Sequence, residues 1–271
     1  MQMNFHGNTQ RGNSQNQRSK PSRERNKKSA QIPETAEALY PMRINKYLSR
    51  KGIATRSGAD ELILSKKILI NGRVAVLGDK VLETDKVDVR GVHSKKKNIY
   101  LAYNKPMGVV STNPQRDEKG ILQSAKFPPG VFPVGRLDKE SHGLIILTND
   151  GRVTDRLLNP IYSHEKEYIV EVDRRFTPGF LRNMQDGVDI GDGVTKPAIV
   201  KKIDEQTFSI TLTEGRNRQI RRMTEKLGYT VRDLQRIRIQ NIELKKTPMN
   251  SFREIIGKEL EHFLTGLGLT L

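Results

Sequence analysis

The 271-residue chain has no cysteine and no tryptophan. Without cysteine there can be no disulfide, no thiolate metal site and no thiol nucleophile, and the composition fits a reducing cytoplasm. No run of about 18 apolar residues occurs, and the N-terminus carries no charged-then-apolar leader, so no membrane partner is expected. None of the five histidines is paired as H-x-x-x-H, and no metal is expected. A Gly-rich P-loop, a Gly-x-Ser-x-Gly elbow and paired-carboxylate spacing are also missing, which leaves phosphoryl transfer and triad hydrolysis without support. Acidic residues are scarce relative to basic ones: 31 Asp+Glu face 48 Lys+Arg, a net charge of +17. Such a field attracts polyanions, nucleic acid above all. A hydrophobic share of 35% and a mean hydropathy of −0.63 are low for a compact globule, so part of the chain is expected to stay outside any core.

Residues 1–41 are that part. Rich in Asn, Gln, Ser and Arg, they hold seven basic residues and one acidic residue between Met1 and Gln31. Too little apolar surface is available to offset ordering entropy, and the stretch reads as a disordered basic tail, either a phosphate-binding arm or a solubilising extension. Residues 42–91 read as a small domain. Ile44, Tyr47 and Leu48 share one helical face, Gly52 follows at a C′ position, and a second helix is expected from Ser57 with Asp60 at capping-box spacing. Ile68-Leu69-Ile70, the hairpin signal Asn71-Gly72 and Val74-Ala75-Val76 follow, with Val87 and Val89 completing a short sheet. The order R-I-N-K-Y-L-S-R-K-G-I-A-T-R, then K-K-I-L-I-N-G-R-V, resembles the α-L RNA-binding domain of the ribosomal protein S-four type. That resemblance implies an RNA-docking surface made by Arg43, Lys46, Arg50, Lys51, Arg56, Lys66 and Lys67. The stretch 92–98, with three consecutive lysines, reads as a linker that leaves the domain angle mobile in the absence of RNA.

From residue 99 the pattern lengthens. Strands are expected at 99–103, 164–172 and 208–212, and helices at 152–158 and 180–184, with a proline-rich loop between Asn113 and Gly130. Many strands with few interspersed helices predict an α+β domain on a mixed, mainly antiparallel sheet. At its centre Leu144 to Leu147 form a buried strand closed by the turn Asn149-Asp150-Gly151. The loop before that strand holds Asp138 between Arg136 and Lys139, an acid that basic neighbours would hold rigid and ionised; a plain surface ion pair is the alternative. Further on, residues 214–238 carry eight basic and three acidic residues, and Ile220, Met223 and Leu227 make a core stripe for a helix starting near Asn217. Arg218, Arg221 and Arg222 then project from its first turn, where they oppose the helix dipole unless phosphate or a buried carboxylate lies near.

The motif G-R-L-D-K-E-S-H-G-L-I-I-L-T-N-D-G resembles the signature of the bacterial RNA pseudouridine synthases of the RsuA/RluB/RluE/RluF group. L-A-Y-N-K-P-M-G, K-E-Y and G-R-N-R-Q-I-R-R-M follow the same group's order, and H-E-K-E-Y with N-R-Q-I-R-R-M is most similar to the RluF branch, which acts on large-subunit ribosomal RNA. The resemblance covers roughly residues 42–265 and implies a catalytic domain over 99–265. It implies isomerisation of a uridine to pseudouridine, with Asp138 as essential acid and Tyr168 stacking on the uracil. By the same likeness Arg221 pairs with the acid, Ile220 packs in the pocket, and Arg136, Arg218, Arg222 and Lys166 contact substrate. No cofactor is implied. The expected partner is ribosomal RNA, within a pre-ribosomal particle or free, and the expected state is a monomer. A transfer-RNA target, or a non-catalytic ribosome-assembly factor, are the alternatives. His142, where relatives often carry a small residue, reads as a loop spectator.

Overall fold

The computed structural model describes residues 40–54, 56–91 and 97–270. The expected basic tail lies outside the described residues apart from Tyr40 and Pro41, and so do residues 92–96 of the expected linker. In the N-terminal domain, β1 (Met42–Arg43) leads into α1 (Ile44–Arg50) and α2 (Arg56–Leu64), followed by β2 (Ile68–Ile70), β3 (Arg73–Val74), β4 (Lys80–Val81) and β5 (Val87–Val89). Ile44 and Leu48 of α1 are buried with Ala59, Ile63, Ile68, Ile70, Ala75 and Val81, and Tyr47 packs at the edge of this core. Gly52, at φ +69°, takes the left-handed conformation that ends α1, where a side chain would be strained. Asn71 and Gly72 both have positive φ between the antiparallel β2 and β3, which suits the twist of a tight hairpin. Asp60 does not cap α2. The helix starts one residue earlier than the sequence suggests, and the Asp60 carboxylate instead accepts from Asn45 Nδ2 at 3.0 Å, tying α2 to α1.

The larger domain runs β6 (Tyr100–Lys105), α3 (Ile121–Ser124), β7 (Phe132–Val134), β8 (His142–Thr148), α4 (Arg152–Leu158), β9 (Lys166–Val172), α5 (Pro178–Asp186), β10 (Ile199–Lys202), β11 (Thr207–Leu212), α6 (Gln219–Lys226), β12 (Val231–Ile239), β13 (Ile242–Glu243), β14 (Phe252–Glu254) and α7 (Gly257–Gly266). Its sheet has the order β10-β11-β9-β12-β8-β6-β14, with β13 paired to β12 and β7 to β8. Every pairing is antiparallel except β12 with β8, which run parallel through only Gln235–His142 and Arg236–Gly143. That short seam joins two antiparallel halves. Gly143 is required there: its φ is +102°, and a Cβ would lie 2.3 Å from the Arg236 carbonyl oxygen.

Leu144 to Leu147 are wholly buried, because β8 is covered on both faces. Leu144 and Ile146 join the core under α4 and α7, while Ile145 and Leu147 join a second core with Leu101, Tyr103 and Ile121. This explains a continuous apolar run instead of an alternating one, and each such side chain contributes roughly 2 kcal/mol. A third core, with Phe176, Phe180, Phe208, Ile210 and Met223, lies under α5 and α6. The α4/α7 core also takes in Leu267 and Leu269, beyond residue 265.

Candidate active site

A cleft of about 650 Å³ opens at the seam between β8 and β12, a size suited to a small ligand or a single nucleotide. Arg136, Asp138, Lys166, Tyr168, Arg218 and Ile220 all line it, so six of the eight catalytic and substrate-binding residues proposed from the sequence converge. Their elements explain the convergence. Asp138 lies in the loop that feeds β8. Lys166 and Tyr168 alternate on one face of β9, where Tyr168 stands opposite Ile210 and Arg236. Ile220, the second residue of α6, anchors that helix in the core beneath.

The loop carrying Asp138 is fixed through its backbone. Lys105, at the end of β6, is 0% exposed, and its ammonium donates to the carbonyls of Pro106 (3.0 Å), Asp138 (3.2 Å) and Ser141 (2.7 Å). Ser111 Oγ donates to Leu137 O and accepts from Leu137 N, while Ser141 N donates to Asp138 O. Arg236, 4% exposed on β12, donates through Nε to Leu144 O at 2.7 Å and through Nη1 to Arg136 O at 3.4 Å. With the main chain so tied, the Asp138 carboxylate itself makes no hydrogen bond or ion pair among the described residues. The sequence offered Arg136 and Lys139 as its partners. Instead, Lys139 pairs with Glu118 at 3.0 Å, and Arg136 stands exposed with no acidic partner among the described residues.

Burial pushes the Lys105 ammonium down to about 8, with the Asp138 charge opposing the shift and Arg236 reinforcing it. Lys166 is likewise pushed down to about 8, first by burial and then by the Arg236 charge. Among the described residues its Nζ donates only to His164 O, at 3.1 Å, and no acid neutralises it. Cations lining a cleft without an acidic partner favour an anionic ligand.

Two expected residues do not face the cleft. Arg221 forms no ion pair with Asp138: its guanidinium is spread over Glu140 O (3.1 Å), Ser141 Oγ (3.4 Å) and Val231 O (3.4 Å), bracing the loop from behind. Burial holds its pKa below the usual arginine range, and the charges of Glu140 and Asp138 work the other way. Arg222 is turned to Asp192 (3.1 Å) and Ile190 O (3.3 Å). The arginines also do not project together from the first turn of α6. Arg218 precedes the helix with φ +47° and pairs with Glu140 at 3.0 Å. His142 is no loop spectator: it opens β8, is buried, and its Nε2 contacts the Asp233 carboxylate at 2.9 Å. In the N-terminal domain Arg43, Lys51, Arg56, Lys66 and Lys67 are exposed, with Lys46 and Arg50 half-buried.

Sequence reasoning missed Lys105 and Arg236 as parts of the site. Lys105 ends a wholly buried strand and sits inside the N-K-P motif, which was the available signal. Arg236 sits in a strand rich in arginine, and nothing local sets it apart from Arg232 or Arg238.

The family model described as RNA pseudouridylate synthase matches residues 99–226, and that of the S4 domain matches residues 42–87. The dual-specificity RNA pseudouridine synthase RluF of Escherichia coli strain K12 is 42% identical over 223 residues, 81% of this chain and 77% of the relative. Ribosomal large subunit pseudouridine synthase B of Bacillus subtilis strain 168 is 33% identical, over 81% of this chain and 94% of the relative. A solved structure titled as a crystal structure of pseudouridylate synthase, 27% identical, aligns with a TM-score of 0.61 over 81% of this chain and 98% of its own.

Proposed function

The chain belongs to the RNA pseudouridylate synthase family, with an S4 domain ahead of its catalytic domain, and from that premise we propose that it isomerises a specific uridine of large-subunit ribosomal RNA. The observation that carries the reading is one cleft in which an unpaired Asp138 meets Tyr168 and the unneutralised Lys166. The names of the relatives from Escherichia coli and Bacillus subtilis support the RNA class.

The target base must leave its stack to reach a cleft of this depth, at a cost of a few kcal/mol. Tyr168 recovers about 1–3 kcal/mol of that by stacking on the uracil. Asp138 acts at the ribose while the C1′–N1 bond breaks. The uracil turns, C1′–C5 forms, the C5 proton leaves, and N1 ends protonated. Atoms and electrons balance without oxidant, reductant or co-substrate, which is why no cofactor is expected. Arg136 and Arg218 at the cleft wall, with Lys166, hold the flanking phosphates, and Ile220 closes the apolar side. Arg221 serves by bracing the loop that presents Asp138. The basic residues of the S4 domain bind RNA outside the cleft.

We place the S4-type domain at 42–91, the linker at 92–98 and the catalytic domain at 99–265, in a cytoplasmic monomer that meets its RNA during ribosome assembly. Among the described residues no helix is long and apolar enough to cross a membrane. A second reading, a transfer-RNA substrate besides the ribosomal one, is favoured by the words dual-specificity in the name of the Escherichia coli relative. Carbodiimide mapping of all cellular RNA from cells with and without the gene decides. The expected result is loss of pseudouridine at a position of large-subunit ribosomal RNA; unchanged ribosomal RNA would overturn the reading.

A further inference from the structure

The described residues of both domains belong to a single compact unit, and at one point they touch closely. Gly151, just before α4, has φ −62°, a conformation any residue adopts, so the backbone does not require glycine there. The space does. A Cβ on Gly151 would lie 2.2 Å from Ser49 Oγ and 3.0 Å from Ser49 O. Ser49, near the end of α1, is 8% exposed. Beside it, the Arg152 stem lies 3.5 Å from where a Cβ on Gly52 would stand.

The platform under α1 is rigid. Arg152 holds the buried Asp150 carboxylate through Nε (2.9 Å) and Nη2 (2.8 Å), and Tyr100 OH donates to the same carboxylate at 2.7 Å. The other end of α4 is a wall of the catalytic cleft, where Leu157 and Leu158 line it together with Asn159. One seven-residue helix, about 10 Å long, therefore carries the S4 domain at its start and the cleft at its end.

We propose that the Ser49–Gly151 contact fixes the span between the S4 domain and Asp138, making Gly151 a specificity-determining residue that selects which uridine of a folded RNA enters the cleft. This rests on the proposed function. An RNA gripped by the basic S4 surface can present only the nucleotide lying at that fixed distance, and an undocked S4 domain would lose the selection while leaving the cleft whole.

The test uses the full chain, wild type against Gly151→Ala and Gly151→Val, on two RNAs: a long ribosomal RNA fragment that reaches both domains, and a short stem-loop presenting the target uridine to the cleft alone. The expected result is a drop in kcat/KM on the long RNA of about tenfold or more, pseudouridine at additional uridines of that RNA, and an unchanged rate on the short one. Adding Ser49→Gly to Gly151→Ala, which removes the Oγ that the new methyl meets, should restore most of the loss. Equal losses on both RNAs would mark Gly151 as merely structural, and no loss on either would show that the contact sets nothing; both overturn the proposal. Should the wild type convert neither RNA, the proposed function fails first, so the two failures are distinguishable.

Discussion

The two stretches that meet at the cleft treat their charges in opposite ways. In residues 136–141 the backbone is tied down, by Lys105, Ser111 and Arg236, and the side chain of Asp138 is left free. In residues 214–222 the side chains are tied down. Arg216 binds Gly193 O and Val194 O, Arg218 binds Glu140, Arg221 binds Glu140 O and Arg222 binds Asp192. The segment richest in arginine thus uses its charge to fasten loops, while the cleft cations with no acidic partner among the described residues, Lys166 and Arg136, lie outside that segment. Density of charge along a sequence does not locate the charge that is available to a ligand.

The contrast is sharpest at Asp138. Asp138→Asn keeps the loop's backbone bonds and removes the free acid of the cleft; activity in a tritium-release assay should fall below about a thousandth of wild type, with RNA affinity within about twofold. Retained activity would remove Asp138 from the chemistry. Lys105→Met attacks the tether instead. It leaves Pro106 O and Ser141 O without the ammonium donor and Asp138 O with Ser141 N alone, and stability by urea unfolding should fall by on the order of 2 kcal/mol, together with activity. If stability were unchanged, the loop would be held by other means.

A smaller effect follows from the pKa of the lysines. Lys105 and Lys166 are pushed from the usual 10.5 to about 8, so between those values the unfolded chain holds protons that the folded chain has released. Their charging disfavours folding below about pH 8, and their contribution to stability rises with pH through the window from about 8 to 10.5. Affinity for RNA should run the other way, weakening above about pH 8 as Lys166 loses its charge. In Lys166→Arg that weakening should shrink, and an unchanged pH profile of RNA binding would argue that Lys166 does not meet phosphate. The least effect is expected for Arg222→Ala, since its partner Asp192 is more than half exposed. The change should cost within about 1 kcal/mol and leave turnover intact; a large loss of turnover would restore Arg222 to the site.

Much of the fold was legible because local signals agreed. The apolar run of β8 with its closing turn, the bounds of α4, the Asn71-Gly72 hairpin and the stripe of α1 all lie where their periodicity puts them. The motif around Asp138 and the K-E-Y stretch pointed to two residues that do share a cleft. What stayed illegible was long-range. Lys105 reaches a carbonyl 36 positions along the chain and Arg236 one 92 positions back, and no local pattern encodes such partners. His142 looked like loop because its partner, Asp233, arrives from β12. Asp60 had the spacing of a cap, yet a nearer donor, Asn45, came from the other helix.

The parallel seam between β8 and β12 has a bearing on how the molecule comes into being. Its registered pairs, such as Gln235 with His142, join residues about ninety positions apart, farther than those of the two strand pairs that flank it, β6 with β8 and β9 with β12. Contacts of such separation form against a larger entropy of loop closure and tend to come late. Asp138 enters on one side of this seam and Arg236 on the other, so neither half alone contains a cleft. A chain still emerging or half assembled has a basic surface able to hold RNA before it has any means of changing it.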